Sequence, residues 1–291
     1  MPVIRAATAG FCMGVDLALR KLDNLLKQDR SSPIYTFGPL IHNPQVIEAY
    51  ADQGVRQSED PEAIEAGSTV LIRAHGIPKS VYARLAERGV SVEDATCPRV
   101  MKAQRLISRQ AGRGQTLLLY GEANHPEVRG LLSHASHGAL VFDSLGELKN
   151  LSLDADAAYF LAAQTTQDEA EFERIQAYIF AALGREIRVL STICDATMKR
   201  QQEAVDIAKG VDLMVVVGGY NSGNTRRLAK VAMDLGVACL HVETPGEISL
   251  ESLRGKCRIG LTAGASTPKT IVDAVEILLK TFQAENPNGP D

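Results

Sequence analysis

The stretch DATCP, residues 94–98, is the part of the sequence that decides the fold. A strand-like run at residues 90–93 precedes it, and an amphipathic helix pattern follows it. The same order of strand, cysteine and helix recurs around Cys12 and Cys194. These three cysteines predict three related structural units, because their spacing is far too long for a CxxC redox pair or a zinc ribbon.

Composition narrows the class of protein. The 291 residues are 45% hydrophobic and 23% charged, with a formal net charge of −4. This balance is typical of a globular protein and argues against nucleic-acid and anionic-membrane partners. No apolar run approaches the ~20 residues that span a bilayer, and residues 1–5 lack the layout of a signal peptide. We therefore expect a cytoplasmic protein whose five cysteines are ligands, nucleophiles or core residues rather than disulfides.

Strand and helix patterns alternate almost throughout, which predicts parallel α/β layers. We expect three pseudo-symmetric α/β units, each with a mostly parallel sheet, arranged around a central iron–sulfur site. Their predicted ranges are residues 1–96, 97–193 and 194–291, with a frayed tail from residue 285. The third unit lacks a closing strand of its own, so the spare strand at residues 3–6 is expected to complete it.

Polar loops follow the predicted strands, at the ends where parallel sheets bind ligands. Their side chains donate hydrogen bonds and suit an anion with many oxygens, such as a diphosphate. The loop at residues 218–224 fits neither the G-x-G-x-x-G nor the Walker pattern, and is interpreted as an anion nest. The predicted substrate-binding residues are His42, His75, His125, Gln164, Thr165, Thr166, Asn221, Ser222, Gly223, Asn224 and Ser266.

Cys12, Cys97 and Cys194 are predicted to bind an iron–sulfur cluster, for which thiolates are the usual ligands. Three ligands on a four-iron cluster leave one iron open to a substrate oxygen. The alternative is that the three cysteines are small buried hydrophobic residues. Cys239 and Cys257 have no counterparts in the other units and are assigned to the core or the surface.

Glu127 is the one carboxylate within the polar loops that lies beside a histidine. It is predicted to donate or relay a proton. The alternative is a carboxylate that only favours the N-terminus of a helix. His134, His137 and His241 are not placed at equivalent positions and are assigned structural or surface roles.

Nine motifs occur in the order found in one known family: residues 9–15, 38–43, 73–76, 94–98, 125–128, 164–166, 193–197, 221–224 and 264–266. Over residues 3 to about 282 the sequence resembles the 4-hydroxy-3-methylbut-2-enyl diphosphate reductase family, which catalyses the last step of the methylerythritol phosphate route to isoprenoids.

The resemblance implies a 4Fe–4S cluster on the three cysteines, with the allylic hydroxyl of the substrate on the open iron. It implies that Glu127, with Thr165 or Thr166 nearby, delivers protons; we favour Thr165 and place His125 in the same catalytic set. The diphosphate would be held by His42, His75, His125, Ser222, Asn224 and Ser266. Ferredoxin or flavodoxin would supply single electrons, and the products would be isopentenyl and dimethylallyl diphosphate.

The sequence departs from the family pattern at Gly223, where members often have a second serine, and at Asp195 and Met198 after Cys194. Three other functions are compatible with the residues alone. They are a dehydratase similar to quinolinate synthase, a non-enzymatic cluster sensor, and a zinc hydrolase with a Cys/His site.

Overall fold

The structure is a computed structural model that describes residues 3–28 and 32–285. The described strands are β1 (Val3–Arg5), β2 (Ile34–Phe37), β3 (Arg56–Ser58), β4 (Thr69–Ile72), β5 (Ser91–Asp94), β6 (Thr116–Tyr120), β7 (Ala139–Phe142), β8 (Tyr159–Ala163), β9 (Arg188–Val189), β10 (Leu213–Val217), β11 (Ala238–Val242) and β12 (Ile259–Ala263). The described α-helices are α1 (Met13–Leu26), α2 (Pro44–Ala51), α3 (Lys79–Glu87), α4 (Pro98–Ala111), α5 (Pro126–Leu132), α6 (Leu145–Lys149), α7 (Glu169–Leu183), α8 (Asp195–Ala208), α9 (Gly223–Asp234), α10 (Leu250–Leu253) and α11 (Lys269–Glu285).

The described strands form three four-stranded parallel sheets with one common topology. The strand orders are β3-β2-β4-β5, β7-β6-β8-β9 and β11-β10-β12-β1. Each sheet has two central strands and two edge strands. One edge strand comes next in the sequence after the first central strand, and the other edge strand leads to a cysteine. The predicted α/β class with parallel sheets is therefore confirmed.

The third sheet takes its fourth strand from the other end of the chain. β1 pairs in parallel with β12, with Val3 opposite Ile259 and Arg5 opposite Leu261. By its contacts the chain divides into two compact units. The one-sheet unit, residues 1–15, 41–49 and 195–291, holds the third sheet, and the two-sheet unit, residues 16–40 and 50–194, holds the other two. The boundaries near residues 96 and 193 stay a prediction, and the tail beyond residue 285 lies outside the described residues.

The central strands are apolar on both faces because helices cover both faces. In β10, Leu213 and Val215 pack into a core with α11, whereas Met214 and Val216 pack into another with α8 and α9. Alternate strand residues point to opposite faces, so each face has its own apolar set. Burying each of these side chains contributes roughly 1.5–3 kcal/mol. The rigid centre of each sheet holds the loops that follow it.

Two edge strands were not predicted from the sequence. β3 consists of Arg56, Gln57 and Ser58, and it lacks the apolar residues that indicate a strand. β7 is apolar and could have been found by its β-branched and aromatic content. Within the described residues, no helix combines the length and apolar character needed to cross a membrane.

Candidate active site

The three predicted metal-ligating cysteines have equivalent backbone environments. Each cysteine follows an edge strand, and its backbone N–H donates a hydrogen bond to the loop after the adjacent central strand. The acceptor is the carbonyl of the residue two positions after that central strand ends. The bonds are Cys12 to Ala265 at 3.0 Å, Cys97 to Ala74 at 2.9 Å and Cys194 to Thr165 at 2.9 Å. One backbone arrangement, repeated three times, therefore presents the three thiols.

These cysteines also precede helices in the same way. Cys97 is the N-cap residue of α4, while α1 begins one residue after Cys12 and α8 one residue after Cys194. The positive end of a helix favours a thiolate, which is the form that binds metals. All three are half-buried, and none forms a disulfide within the described residues. The donor set therefore fits an iron–sulfur cluster with three protein ligands.

The two remaining cysteines do not share this environment. Burial raises the pKa of the Cys239 thiol, on β11, to about 11. A thiol with a raised pKa is a poor ligand because metals bind the thiolate. Cys257 is exposed and lies before β12, away from any helix start.

Glu127 is the one buried carboxylate among the residues that the structure describes. Its exposed fraction is 1%, and it lies in the first turn of α5. Thr165 donates to both of its oxygens, from the backbone N–H at 2.6 Å and from the hydroxyl at 2.9 Å. The carbonyl of Thr165 accepts from Cys194, so one residue joins the carboxylate to the cysteine loop.

His125 is the N-cap residue of α5, and its orientation follows from that role. Its Nδ1 accepts a hydrogen bond from the backbone N–H of Glu127 at 3.1 Å. An accepting Nδ1 carries no proton, so the neutral ring carries its proton on Nε2 and donates from there. The ring meets that of His75 edge to face, with centroids 5.1 Å apart. The structure thus brings the predicted residues His75, His125, Glu127 and Thr165 together.

The side chains of the predicted residues Gln164 and Thr166 are hydrogen-bonded to each other. Gln164 is fully buried, and its amide donates to the hydroxyl of Thr166 at 3.2 Å. The amide oxygen accepts from the backbone N–H of Glu122 at 3.1 Å. Gln164 therefore links the loop after β8 to the loop after β6, and its polar atoms act mainly within the protein.

In the one-sheet unit, Ser222 and Asn224 occupy the start of α9. The hydroxyl of Ser222 caps the helix by accepting from Thr225 N–H at 3.3 Å. Asn224 has an exposed fraction of 6%, and its Nδ2 finds no hydrogen-bond partner among the described residues. No acidic residue lies in this first turn. A helix N-terminus with an unused buried donor is well suited to an anion.

His42 and Ser266 meet at the same end of the third sheet. The hydroxyl of Ser266 donates to the carbonyl of His42 at 3.3 Å. Gly219 lies against that carbonyl so closely that a Cβ at this position would clash with it. Asn221, in the same loop, is exposed, whereas Gly223 is buried in the first turn of α9.

The predicted polar residues occupy matching positions after the central strands of the three sheets. In each sheet, one of these residues comes five positions after the end of the first central strand. Another comes three positions after the end of the second central strand. The residues at the first of these positions are His42, His125 and Ser222, and those at the second are His75, Thr166 and Ser266.

Sequence reasoning missed Glu203, which lies on α8. Its carboxylate accepts from the backbone N–H of Ala7 at 2.6 Å and from that of Thr8 at 2.9 Å, and also from the Thr8 hydroxyl. Burial acts to raise the pKa of Glu203, but these hydrogen bonds and the charge of Arg200 hold it below its usual value. Glu203 fixes the loop that leads to Cys12, and no sequence signal marks it because only the fold brings the two together.

Two of the residues at which the sequence departs from the family pattern follow Cys194. Asp195 is exposed and begins α8, where a carboxylate is favoured by the helix dipole. Met198 is half-buried.

Comparison with known proteins matches residues 3–280 to the LytB protein family. A 4-hydroxy-3-methylbut-2-enyl diphosphate reductase of Nitratidesulfovibrio vulgaris (strain Miyazaki F) is 59% identical over 282 residues, covering 97% of this chain and 100% of the relative. A protein of the same name from Solidesulfovibrio magneticus is 57% identical, with the same coverage. One from Pelobacter propionicus is 41% identical over 94% of this chain and 96% of its own length.

Solved structures agree with the sequence comparison. The E-1-hydroxy-2-methyl-but-2-enyl-4-diphosphate reductase of Plasmodium falciparum is 26% identical, with a TM-score of 0.90 over 95% of this chain and 87% of that one. An (E)-4-hydroxy-3-methyl-but-2-enyl diphosphate reductase, described as the terminal enzyme of the non-mevalonate pathway, is 37% identical, with a TM-score of 0.69. It covers 97% of this chain and 99% of its own.

Proposed function

The chain belongs to the LytB protein family, and we propose that it is an oxidoreductase that removes the hydroxyl of (E)-4-hydroxy-3-methylbut-2-enyl diphosphate. The products are isopentenyl and dimethylallyl diphosphate. The reaction consumes two electrons and two protons: the C–O bond breaks, the hydroxyl leaves as water with one proton, and a C–H bond forms with the other.

Cys12, Cys97 and Cys194 are the residues that would hold a 4Fe–4S cluster. When bound, such a cluster supplies electrons one at a time and an open iron that acts as a Lewis acid. Support comes from the repeated hydrogen bond between each cysteine N–H and a neighbouring loop carbonyl. These bonds fix the backbone that precedes each helix, so each thiol is held in a defined position within its own loop.

Proton delivery is assigned to Glu127 with Thr165. A buried carboxylate costs several kcal/mol unless it is hydrogen-bonded, and Thr165 provides a donor to each oxygen. The Thr165 hydroxyl can rotate between the carboxylate and a substrate oxygen, so it can pass a proton between them. This arrangement, in which the carbonyl of Thr165 accepts a hydrogen bond from the N–H of Cys194, is the observation that carries the proposal.

The diphosphate is assigned to the polar residues after the central strands. Ser222 and Asn224 offer a hydroxyl, an amide donor and the N-terminal N–H groups of α9. Ser266 adds a hydroxyl, and His42, His75 and the Nε2 of His125 add ring donors. Neutral donors at a helix N-terminus hold a multiply charged anion through many hydrogen bonds. Gly223 offers a backbone N–H at the position where a serine is frequent in the family.

The test is turnover by the anaerobically reconstituted protein. We expect substrate with dithionite-reduced methyl viologen to yield both products, and about four irons per chain to be bound. Serine replacement at Cys12, Cys97 or Cys194 should lower the iron content and abolish turnover. Cys239→Ser is the matched control, and it should change neither the iron content nor the turnover.

Colourless protein loaded with zinc, or a brown protein that leaves the substrate unchanged, would overturn the proposal. Inhibition by a dicarboxylate without any effect of a diphosphate would favour the quinolinate-synthase-like alternative. The comparisons favour the reductase, since the cited relatives that match nearly the whole chain carry that name.

Two finer assignments belong to the same proposal. Ferredoxin or flavodoxin is the expected electron donor, because the two electrons must arrive singly. A cytoplasmic location follows from the expectation of a reduced thiol set and stays a prediction.

A further inference from the structure

Helix α4 differs in charge from the other long helices. Among the described helices of eight residues or more, it alone contains neither aspartate nor glutamate. It carries four basic residues, Arg99, Lys102, Arg105 and Arg109, which we call the α4 basic stripe. The chain as a whole has a net charge of −4, so this positively charged helix has the opposite sign to the rest of the chain.

The stripe occupies one exposed face of the helix. At about 100° per residue, Lys102, Arg105 and Arg109 fall within an arc of about 60°, and Arg99 extends it by about 60° more. All four are exposed. The opposite face, with Ala103 and Ile107, packs into the core formed with β6 and β8. Packing of that apolar face therefore fixes the stripe toward solvent.

Three of the four cations in the stripe have no acidic partner among the residues that the structure describes. Several exposed cations elsewhere pair with carboxylates, as Arg84 does with Glu62 at 2.9 Å. Lys102, Arg105 and Arg109 make no ion pair with any carboxylate of the described residues. Like charges three or four residues apart on a helix cost a few tenths of a kcal/mol each. An acidic surface placed on the stripe would relieve that repulsion.

The position of the stripe connects it to the proposed cluster. α4 begins directly after Cys97, its N-cap residue. At ~1.5 Å per residue, Lys102 lies about 7.5 Å and Arg109 about 18 Å from that cysteine along the helix axis. A protein bound on the stripe would therefore reach the end of the helix where the cluster is proposed.

We propose that the α4 basic stripe is the docking surface of an acidic one-electron carrier protein. This rests on the proposed function, which requires two electrons delivered singly at the cysteine site. Charge complementarity favours an acidic partner and governs its association rate. A nucleic acid fits less well, because the remainder of this acidic chain would repel it.

The experiment compares two electron donors with the reconstituted enzyme. In Lys102→Glu/Arg105→Glu we expect kcat/KM for a reduced acidic ferredoxin to fall about tenfold or more at low ionic strength. The difference should shrink as salt is raised, because salt screens exposed charges. The rate with reduced methyl viologen should stay within about twofold of the parent, since this small mediator needs no docking surface.

The matched control is Lys149→Glu/Arg174→Glu, which makes the same change in net charge. Both residues are exposed on α6 and α7, helices that contact each other. α7 covers the other face of the second sheet, because Phe172 stacks on Tyr120 whereas Leu119 faces α4. In this control variant, turnover with reduced ferredoxin and turnover with reduced methyl viologen should both equal those of the parent. Lys102→Gln/Arg105→Gln should show a smaller loss in the same direction.

An unchanged ferredoxin rate in the charge-reversal variant, with viologen turnover intact, overturns the docking surface and leaves the proposed function standing. An equal loss with both donors overturns it as well, because the stripe then acts on folding or on the site. If the parent fails with both donors while containing its iron, the proposed function itself is wrong.

Direct titration with oxidised ferredoxin should show weaker binding only in the α4 variants. If the stripe binds duplex DNA and does not bind ferredoxin, the proposed class of partner is wrong.

Discussion

At the scale of single residues, Glu127 has the environment most specific for chemistry. A buried carboxylate is expensive, and the fold retains it with two donors from Thr165. Helix capping alone does not require this arrangement, because a first-turn carboxylate serves the helix dipole equally well when exposed. The pairing with Thr165 therefore supports the proposed role of Glu127 in proton transfer.

Glu127→Gln should keep the cluster and lose turnover. The amide preserves size but cannot supply a proton, so we expect kcat to fall roughly 10²–10⁴-fold with unchanged iron content. Steady-state kinetics with reduced methyl viologen measures the loss. Glu122→Gln, on the preceding loop, is the control and should stay within about threefold of the parent. A rate for Glu127→Gln close to that of the parent would refute the proton role.

Asn224→Asp should separate substrate binding from stability. A carboxylate in the first turn of α9 is favoured by the helix dipole, which offsets the cost of burying the charge there, so the unfolding free energy should change little. The same charge should repel a diphosphate, and we expect KM to rise about tenfold or more. Kinetics and denaturant unfolding on one preparation decide this. Asn150→Asp, at the exposed end of α6, is the control; an unchanged KM in Asn224→Asp would remove Asn224 from the substrate site.

At the scale of elements, two loops of the candidate site, the one that leads to Cys12 and the one after β10, are held by side chains that sequence reasoning did not select. The loop after β10 is fixed by Tyr220, whose N–H donates to Glu243 at 2.7 Å and whose hydroxyl donates to Glu247. The bond to Glu247 is the main cause that raises the pKa of Tyr220 to about 12. A loop fixed in this way presents Ser222 without a further entropic cost on binding.

Glu243→Ala should loosen that loop. Removal of the acceptor leaves the N–H of Tyr220 to solvent, and we expect KM for the substrate to rise several-fold with little change in kcat. Because Glu243 is only half-buried, the unfolding free energy should change by less than about 1 kcal/mol. Glu251→Ala, on α10, is the control. A fall in kcat at unchanged KM would contradict a role in positioning.

Glu203→Gln should reveal a pH-dependent contribution to stability. The folded-state pKa of Glu203 is lowered, so its contribution is present above the ordinary pKa and is lost as pH falls through the folded-state value. We expect the variant to be roughly 1–2 kcal/mol less stable at pH 7, with the difference shrinking under acid. Denaturant unfolding of the metal-free protein at several pH values measures it. A difference that does not depend on pH would show that packing, rather than charge, matters there.

The elements that the sequence predicts are those with strong apolar patterns. The central strands and the helices after each cysteine were predicted because their burial requires such patterns. β3 was missed because an exposed edge strand of Arg56, Gln57 and Ser58 needs no apolar residue. The contact of Glu203 with Thr8 joins residues far apart in sequence, and only a fold supplies it.

At the scale of the whole molecule, equivalence among the three sheets is the most informative property of the chain. Cysteines at three strand-to-helix turns were visible in the sequence, and the shared strand order accounts for them. What the sequence could not provide is the backbone bond that each cysteine makes to a neighbouring loop. That bond depends on strand pairing, which no single motif encodes.

The third sheet depends on the first residues of the chain, and this dependence can be tested. Arg5 on β1 donates to Asp273 at 2.6 Å and to Glu276 at 2.7 Å, both on α11. Arg5→Ala should lower stability by only about 1 kcal/mol, since these pairs are partly exposed. It should also lower the iron content, because β1 leads directly to the Cys12 loop.

Arg56→Ala is the matched control for this prediction. Arg56 pairs with Glu65 at 2.5 Å at the edge of the first sheet, on the strand β3 that leads to no cysteine. Its loss should cost a similar amount of stability and leave the iron content unchanged. Iron per chain, measured beside the unfolding midpoint, distinguishes the two variants. If both lose iron in proportion to stability, the N-terminal strand has no particular role in presenting Cys12, because general destabilisation then accounts for the loss.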